Sequence, residues 1–162
     1  MFVRERISGS PSLPASPGSV TRLPLPDQRD LVAAFGGHRC VLDDHPMIAW
    51  ARALAALHRQ RHAEPLSTAG IDCRRAELVA AIDRWVAGLP RRGATTHLCT
   101  EPLGATVDRM AAAHVHASHL LHTAEKVSDD RVHAAWYRLA LLADEWTDMV
   151  TGATRSQARE AK

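Results

Sequence analysis

Residues 100–122 concentrate the side chains of this chain that could do chemistry. The segment reads TEPLGATVDRMAAAHVHASHLLH and starts like a helix, with Thr100 as the N-cap and Pro102 in the first turn. It carries two carboxylates, Glu101 and Asp108, and four histidines: His114, His116, His119 and His122. Carboxylates and imidazoles on one helix face can hold a divalent metal ion or exchange protons. The segment is therefore the candidate catalytic or metal site.

A helical register of about 100° per residue divides this segment into two faces. One face is an apolar stripe that also contains His114, which predicts a buried, hydrogen-bonded histidine. The opposite face carries the polar set: Glu101, Asp108, His116 and His119, with Arg109 and His122 on its flanks. The spacing matches no known metal motif, so a solvated helix face remains the alternative for the histidines. For Glu101 the alternative is an acidic residue that stabilises the helix N-terminus.

The elements that must position these side chains are all helices. Apolar spacing and caps predict helices over about residues 27–35, 44–64, 67–86, 101–126 and 128–152. Asp44 is the expected cap of the second helix, and Gly152 is the expected end of the fifth. The prediction is an all-α fold, an antiparallel bundle of four main helices plus a short N-terminal helix. A disordered Pro-rich leader is expected over 1–26, the bundle domain over 27–152 and a polar tail over 153–162.

Composition and charge narrow the class of protein. The net charge is +2, and the arginines are spread along the chain, which makes a nucleic-acid binder unlikely. The chain has three cysteines and no CxxC pair: Cys40, Cys73 and Cys99. Neither a disulfide framework nor a structural zinc is therefore expected, and the expected location is the cytoplasm. No apolar run approaches the roughly 20 residues of a membrane span, so no membrane association is expected.

Two segments resemble a known family. Residues 74–85, RRAELVAAIDRW, are similar to a family helix in which an acidic residue is followed six positions later by Asp. Residues 100–110, TEPLGATVDRM, are similar to the more specific family segment S/T-E-T-x-G-x-I-I-D-R-L. The likeness extends over about residues 44–151 and is to an uncharacterised bacterial all-helical family, domain-of-unknown-function family 4254.

The resemblance implies a set of matching positions and no activity. These positions are Asp83, Glu101, Gly104, Asp108 and Arg109. Family members often have a tryptophan, a histidine and paired Glu-Asp on the first long helix. The corresponding stretch here is residues 57–61, LHRQR, which keeps His58 and lacks the carboxylates. A metal site built on those carboxylates in relatives would be lost or changed in this chain.

Two functions remain open from the sequence. The first is a binding or assembly module that forms a homodimer, which long amphipathic helices and apolar surface positions such as Leu141 favour. The second is a metal-dependent hydrolase or related enzyme acting on a phosphorylated or nucleotide-like small molecule. There Asp83, Glu101 and Asp108 would hold a divalent metal or act as bases. In that enzyme Arg109 would bind an anionic group, and His119 or His58 would transfer protons.

Overall fold

A computed structural model describes residues 25–64, 68–89, 102–126 and 129–160, with the side chains of 152–160 left aside. These residues form five helices and no strand, so the all-α prediction is confirmed. The helices are α1 (Gln28–Phe35), α2 (Pro46–Ala63), α3 (Thr68–Ala87), α4 (Leu103–Thr123) and α5 (Asp130–Glu160). None of them is both long and apolar enough to cross a membrane.

The helix ends follow local chemistry, with three corrections to the prediction. Helix α4 begins at Leu103 with Pro102 at its N-cap position, so the predicted cap at Thr100 was wrong. Asp27 caps α1 as its side chain accepts from the Asp30 amide at 2.9 Å. The cap of α2 is His45, whose Nδ1 accepts from the Met47 amide at 3.1 Å, and the prediction of Asp44 was wrong. A residue before proline is pushed towards extended backbone, so the residue preceding Pro46 becomes the cap. The fifth helix does not end at Gly152 but continues to Glu160.

Helix α4 is the central element of the bundle. It packs against α1, α2, α3 and α5, whereas α3 and α5 do not contact each other within the described residues. Contacts between Asp83 and Gly104 and between Arg75 and Asp108 show that α3 and α4 run antiparallel. Because α4 is surrounded on most sides, it buries polar as well as apolar residues. This burial determines where the candidate site residues on α4 lie.

The core is built from buried residues of all five helices. Its largest fully buried side chains are Trp146, Phe35, Leu31, Met47, Ile48, Leu54, Ile82 and Met110. The Trp146 indole donates a hydrogen bond at 3.0 Å to the carbonyl of Pro26, which is also buried. The predicted leader therefore has its last residue held against the bundle, while residues 1–24 of that leader lie outside the described part of the chain.

Candidate functional site

Two of the predicted site residues, His58 and Asp108, meet between α2 and α4. His58 Nε2 lies 2.8 Å from Asp108 Oδ1, and both side chains are largely buried. An ionised carboxylate only accepts hydrogen bonds, so the imidazole donates. Arg75 of α3 binds the same carboxylate with two bonds, Nη2 to Oδ2 at 2.6 Å and Nε to Oδ1 at 3.2 Å. Asp108 therefore joins three helices.

Charged side chains of alternating sign extend outward from Asp108. Arg75 Nη1 donates to Asp72 Oδ1 at 2.9 Å, and Asp72 also pairs with Arg61 of α2. Burial alone would raise the pKa of Asp108, but the hydrogen bonds from His58 and Arg75 outweigh it and hold the pKa below its usual value. The carboxylate is thus an anion at neutral pH, and its oxygens already accept three hydrogen bonds.

Asp83 and Gly104 form a second link between α3 and α4. Pro102 stands at the N-cap position of α4 and has no side-chain acceptor that could cap the first turn. Asp83 replaces that cap, with Oδ1 accepting from the Gly104 amide at 2.8 Å. Gly104 itself allows the close approach, since a Cβ there would lie 2.5 Å from the Val79 carbonyl oxygen. Both residues hold α3 against α4.

The other two predicted site residues in the segment 100–110 are Arg109 and Glu101. Arg109 reaches α5, where Nη2 donates to Glu145 Oε1 at 3.1 Å, and it also contacts Thr106 Oγ1. Glu101 lies outside the described residues. Within the described ranges no group of three or more His, Cys, Asp or Glu side chains is placed to hold a metal ion.

The histidines of α4 separate into one buried and several exposed rings. His114 faces the core as predicted, between Phe35 and Trp136. Its Nδ1 nevertheless has no hydrogen-bond partner among the described residues. Burial lowers the pKa of His114, as do the positive charges of Arg59 and His38.

His116 and His119 are exposed, as the solvated-face alternative expects. His119 has a neighbour from another helix, since its ring lies 5.5 Å from that of His62 on α2 and nearly parallel to it. The sequence patterns pointed to neither His62 nor Arg75, because both act through contacts between helices distant in sequence.

A groove of about 640 Å³ runs along the outer surface between α2 and α3. Each helix contributes four residues at helical spacing: Ala53, Ala56, Leu57 and Gln60 from α2, and Arg74, Glu77, Leu78 and Ala81 from α3. The lining is mostly small and apolar, and the charges of Arg74 and Glu77 stand at its rim. None of the predicted site residues lines it.

The fold and these contacts define a class, an all-α bundle whose central helix is tied to its neighbours by buried polar links. A family model, Protein of unknown function (DUF4254), matches residues 67–156, which is more than half of the 162 residues. The chain belongs to this family, as its motifs at 74–85 and 100–110 indicate, and no activity is attached to the family. Comparison with curated proteins and with solved structures finds no match.

Proposed function

We propose that this chain is an assembly module that binds a second copy of itself through the groove between α2 and α3. The observation that carries the proposal is the groove itself, because it offers two parallel rows of small and apolar side chains at helical spacing. Such a surface can bind helices of a partner, because the side chains of the partner's helices pack into the spaces between its own side chains. The groove has no occupant from the described part of this chain.

Charge argues for a second copy as the occupant. Arg74 and Glu77 lie one helical turn apart on α3, and both are exposed at the groove rim. A twofold axis crossing α3 between them would bring Arg74 of each copy to Glu77 of the other. A twofold interface is built from one self-complementary patch, and a patch with one charge of each sign meets this requirement.

The expected dimer is weak. Helices of 18 and 20 residues are about 27–30 Å long, so a face two helices wide offers roughly 550 Å² per copy. Stable interfaces typically bury about 800 Å² per partner, which places this one at the low end of specific contacts. We therefore expect micromolar dissociation constants.

Analytical ultracentrifugation over a concentration series tests the proposal. Ala56→Glu places a charge in the groove at an exposed position and should shift the protein to monomer. Ala140→Glu is the matched control, because Ala140 is an exposed alanine on α5, which contacts neither α2 nor α3 within the described residues. It also probes the rival surface formed by Tyr137 and Leu141, which are 68% and 52% exposed.

A charge exchange sharpens this test. Arg74→Glu or Glu77→Arg alone should weaken the dimer, whereas the double variant should restore it, since opposite charges again meet across the axis. A wild-type protein that stays monomeric at several hundred micromolar would refute the proposal. Dissociation caused by Ala140→Glu and not by Ala56→Glu would move the interface to α5.

A second candidate is an enzyme, and the contact of 2.8 Å between His58 and Asp108 favours it. A carboxylate that orients an imidazole is the arrangement a general base requires. The substrate class would be a phosphorylated or nucleotide-like small molecule, with a divalent metal ion as cofactor. Hydrolysis of such compounds with Mg²⁺ or Mn²⁺ should then disappear in His58→Gln and persist in the surface variant His133→Gln. Equal rates in both variants would count against the enzyme.

The proposed compartment is the cytoplasm, where cysteines stay reduced. Cys40 and Cys73 are free thiols in the described part of the chain, as a reducing compartment allows. Thiol titration with and without reductant on protein isolated from cells would test this. Protection of these thiols before reduction would oppose it.

A further inference from the structure

Imidazoles from two different helices come together at the carboxyl-terminal end of α2. The His62 and His119 ring centroids lie 5.5 Å apart, with 13° between the ring planes. Both side chains are exposed, and neither has a hydrogen bond recorded to a carboxylate. Each ring also has a second histidine about one turn earlier on its helix, His58 before His62 and His116 before His119.

We propose that His62 and His119 form a binding site for a divalent transition-metal ion such as Zn²⁺, Ni²⁺ or Cu²⁺. Imidazole nitrogen is a preferred ligand of these ions. With a Zn–N bond of about 2.1 Å and a tetrahedral angle, two imidazole centroids on one ion lie about 5 Å apart. The observed separation matches this value, so the two helices already hold the rings at the spacing that a shared ion needs.

Small side-chain rotations complete the geometry. The rings are nearly parallel, so one of them must turn for both to direct a nitrogen at the same ion. Exposed side chains change rotamer on a nanosecond timescale, and no packed neighbour has to move. His116 also lies on the exposed side of α4, but within the described residues no third histidine is placed to join the pair. His58 stays with Asp108, and water fills the remaining positions.

The electrostatics favour the protonation state that binds metal. Burial lowers the pKa of His62, and the charges of His119, His116, His58 and Arg61 lower it further. The ring is therefore neutral at pH 7, and neutral imidazole is the ligand form. Arg61 would repel a cation, but its guanidinium is paired with Asp72. A site of two imidazoles without a carboxylate gives moderate affinity, so micromolar binding is expected.

Isothermal titration of the full chain with Zn²⁺ and with Ni²⁺ at pH 7.5 tests the proposal. We expect one ion per chain in the wild type and at least a tenfold loss of affinity in His62→Gln and in His119→Gln. His133→Gln is the matched control, because His133 is an exposed histidine on α5, and it should bind like the wild type. Binding should also weaken as the pH falls, because protons compete with the metal ion for the imidazole nitrogens.

Spectroscopy counts the ligands directly. The electron paramagnetic resonance spectrum of the Cu²⁺ form should show coupling to at least two imidazole nitrogens, and to one fewer in His119→Gln. Equal affinity in the wild type and in both site variants would overturn the proposal, as would the absence of binding at millimolar Zn²⁺. Both variants replace exposed side chains, and unchanged thermal melts would show that the fold is intact. The site is separate from the α2–α3 groove, so either result leaves the dimer test standing.

Discussion

Replacing Gly104 with alanine should separate α3 from α4 and destabilise the fold. A Cβ at this position would lie 2.5 Å from the Val79 carbonyl oxygen and 3.0 Å from Asp83 Oδ1. Ordinary contacts begin at 3.4 Å, so the α3 backbone must withdraw by about 0.9 Å at its closest point. The obstacle is main chain, which cannot rotate away as a flexible side chain would.

The cost follows from two contributions. Overpacking between helices typically costs about 1–3 kcal/mol. The withdrawal also stretches the hydrogen bond from the Gly104 amide to Asp83, which is 2.8 Å long, and loss of a helix cap costs about 1 kcal/mol. Alanine gains at most about 1 kcal/mol over glycine from helix propensity. We therefore expect the free energy of unfolding to fall by about 2–3 kcal/mol.

Urea unfolding followed by circular dichroism measures this change, with Gly70→Ala as the matched control. A Cβ at Gly70 on α3 meets no atom within 4 Å, so that variant should be slightly stabilised, by about 0.5 kcal/mol. With a slope near 1.5 kcal/mol per molar urea, the Gly104→Ala midpoint should drop by about 1.3–2 M. Equal midpoints for the two variants would refute the close approach of α3 and α4.

The other stability predictions concern buried polar links. Asp108→Asn should lower the free energy of unfolding by about 2 kcal/mol at pH 7, because Arg75 would lose its buried partner. The folded pKa of Asp108 is depressed, so the wild-type advantage should be full above about pH 4 and vanish as the pH falls through the folded pKa. A pH-independent difference in urea midpoint would contradict this. Trp146→Phe should lower the free energy of unfolding by about 1–3 kcal/mol, because the buried Pro26 carbonyl would lose its hydrogen-bond donor. An unchanged melting temperature would exclude that hydrogen bond.

The helices were predictable because their signals are local. Apolar spacing predicts the start of α1 within one residue, and it predicts both ends of α3 within one residue. The errors are local conflicts. At α2 Asp44 has the better capping side chain, but Pro46 restricts the backbone of the residue before it, so His45 becomes the N-cap. At Gly152 a single glycine costs about 1 kcal/mol, which does not end a long helix.

The site was harder to predict because α4 has neighbours on most of its circumference. A single-helix projection recognises one apolar face and assigns everything opposite to solvent. It therefore grouped Asp108 with His116 and His119, whereas Asp108 points between α2 and α3 and only the histidines are exposed. The direction of a polar side chain on a central helix depends on Arg75, which lies 33 residues away in sequence.

The motif that identifies the family therefore describes packing between two helices. Asp83, Gly104 and Asp108 each connect α3 to α4, through a cap, a close backbone approach and a paired carboxylate respectively. Asp108 accepts three hydrogen bonds from protein groups, so it would have to abandon these links to bind a metal or a substrate. Losing the links of Asp108 is expected to cost about 2 kcal/mol, which a new ligand would have to exceed. The exposed rings of His62 and His119 take part in none of these links, so metal binding there would break none of them.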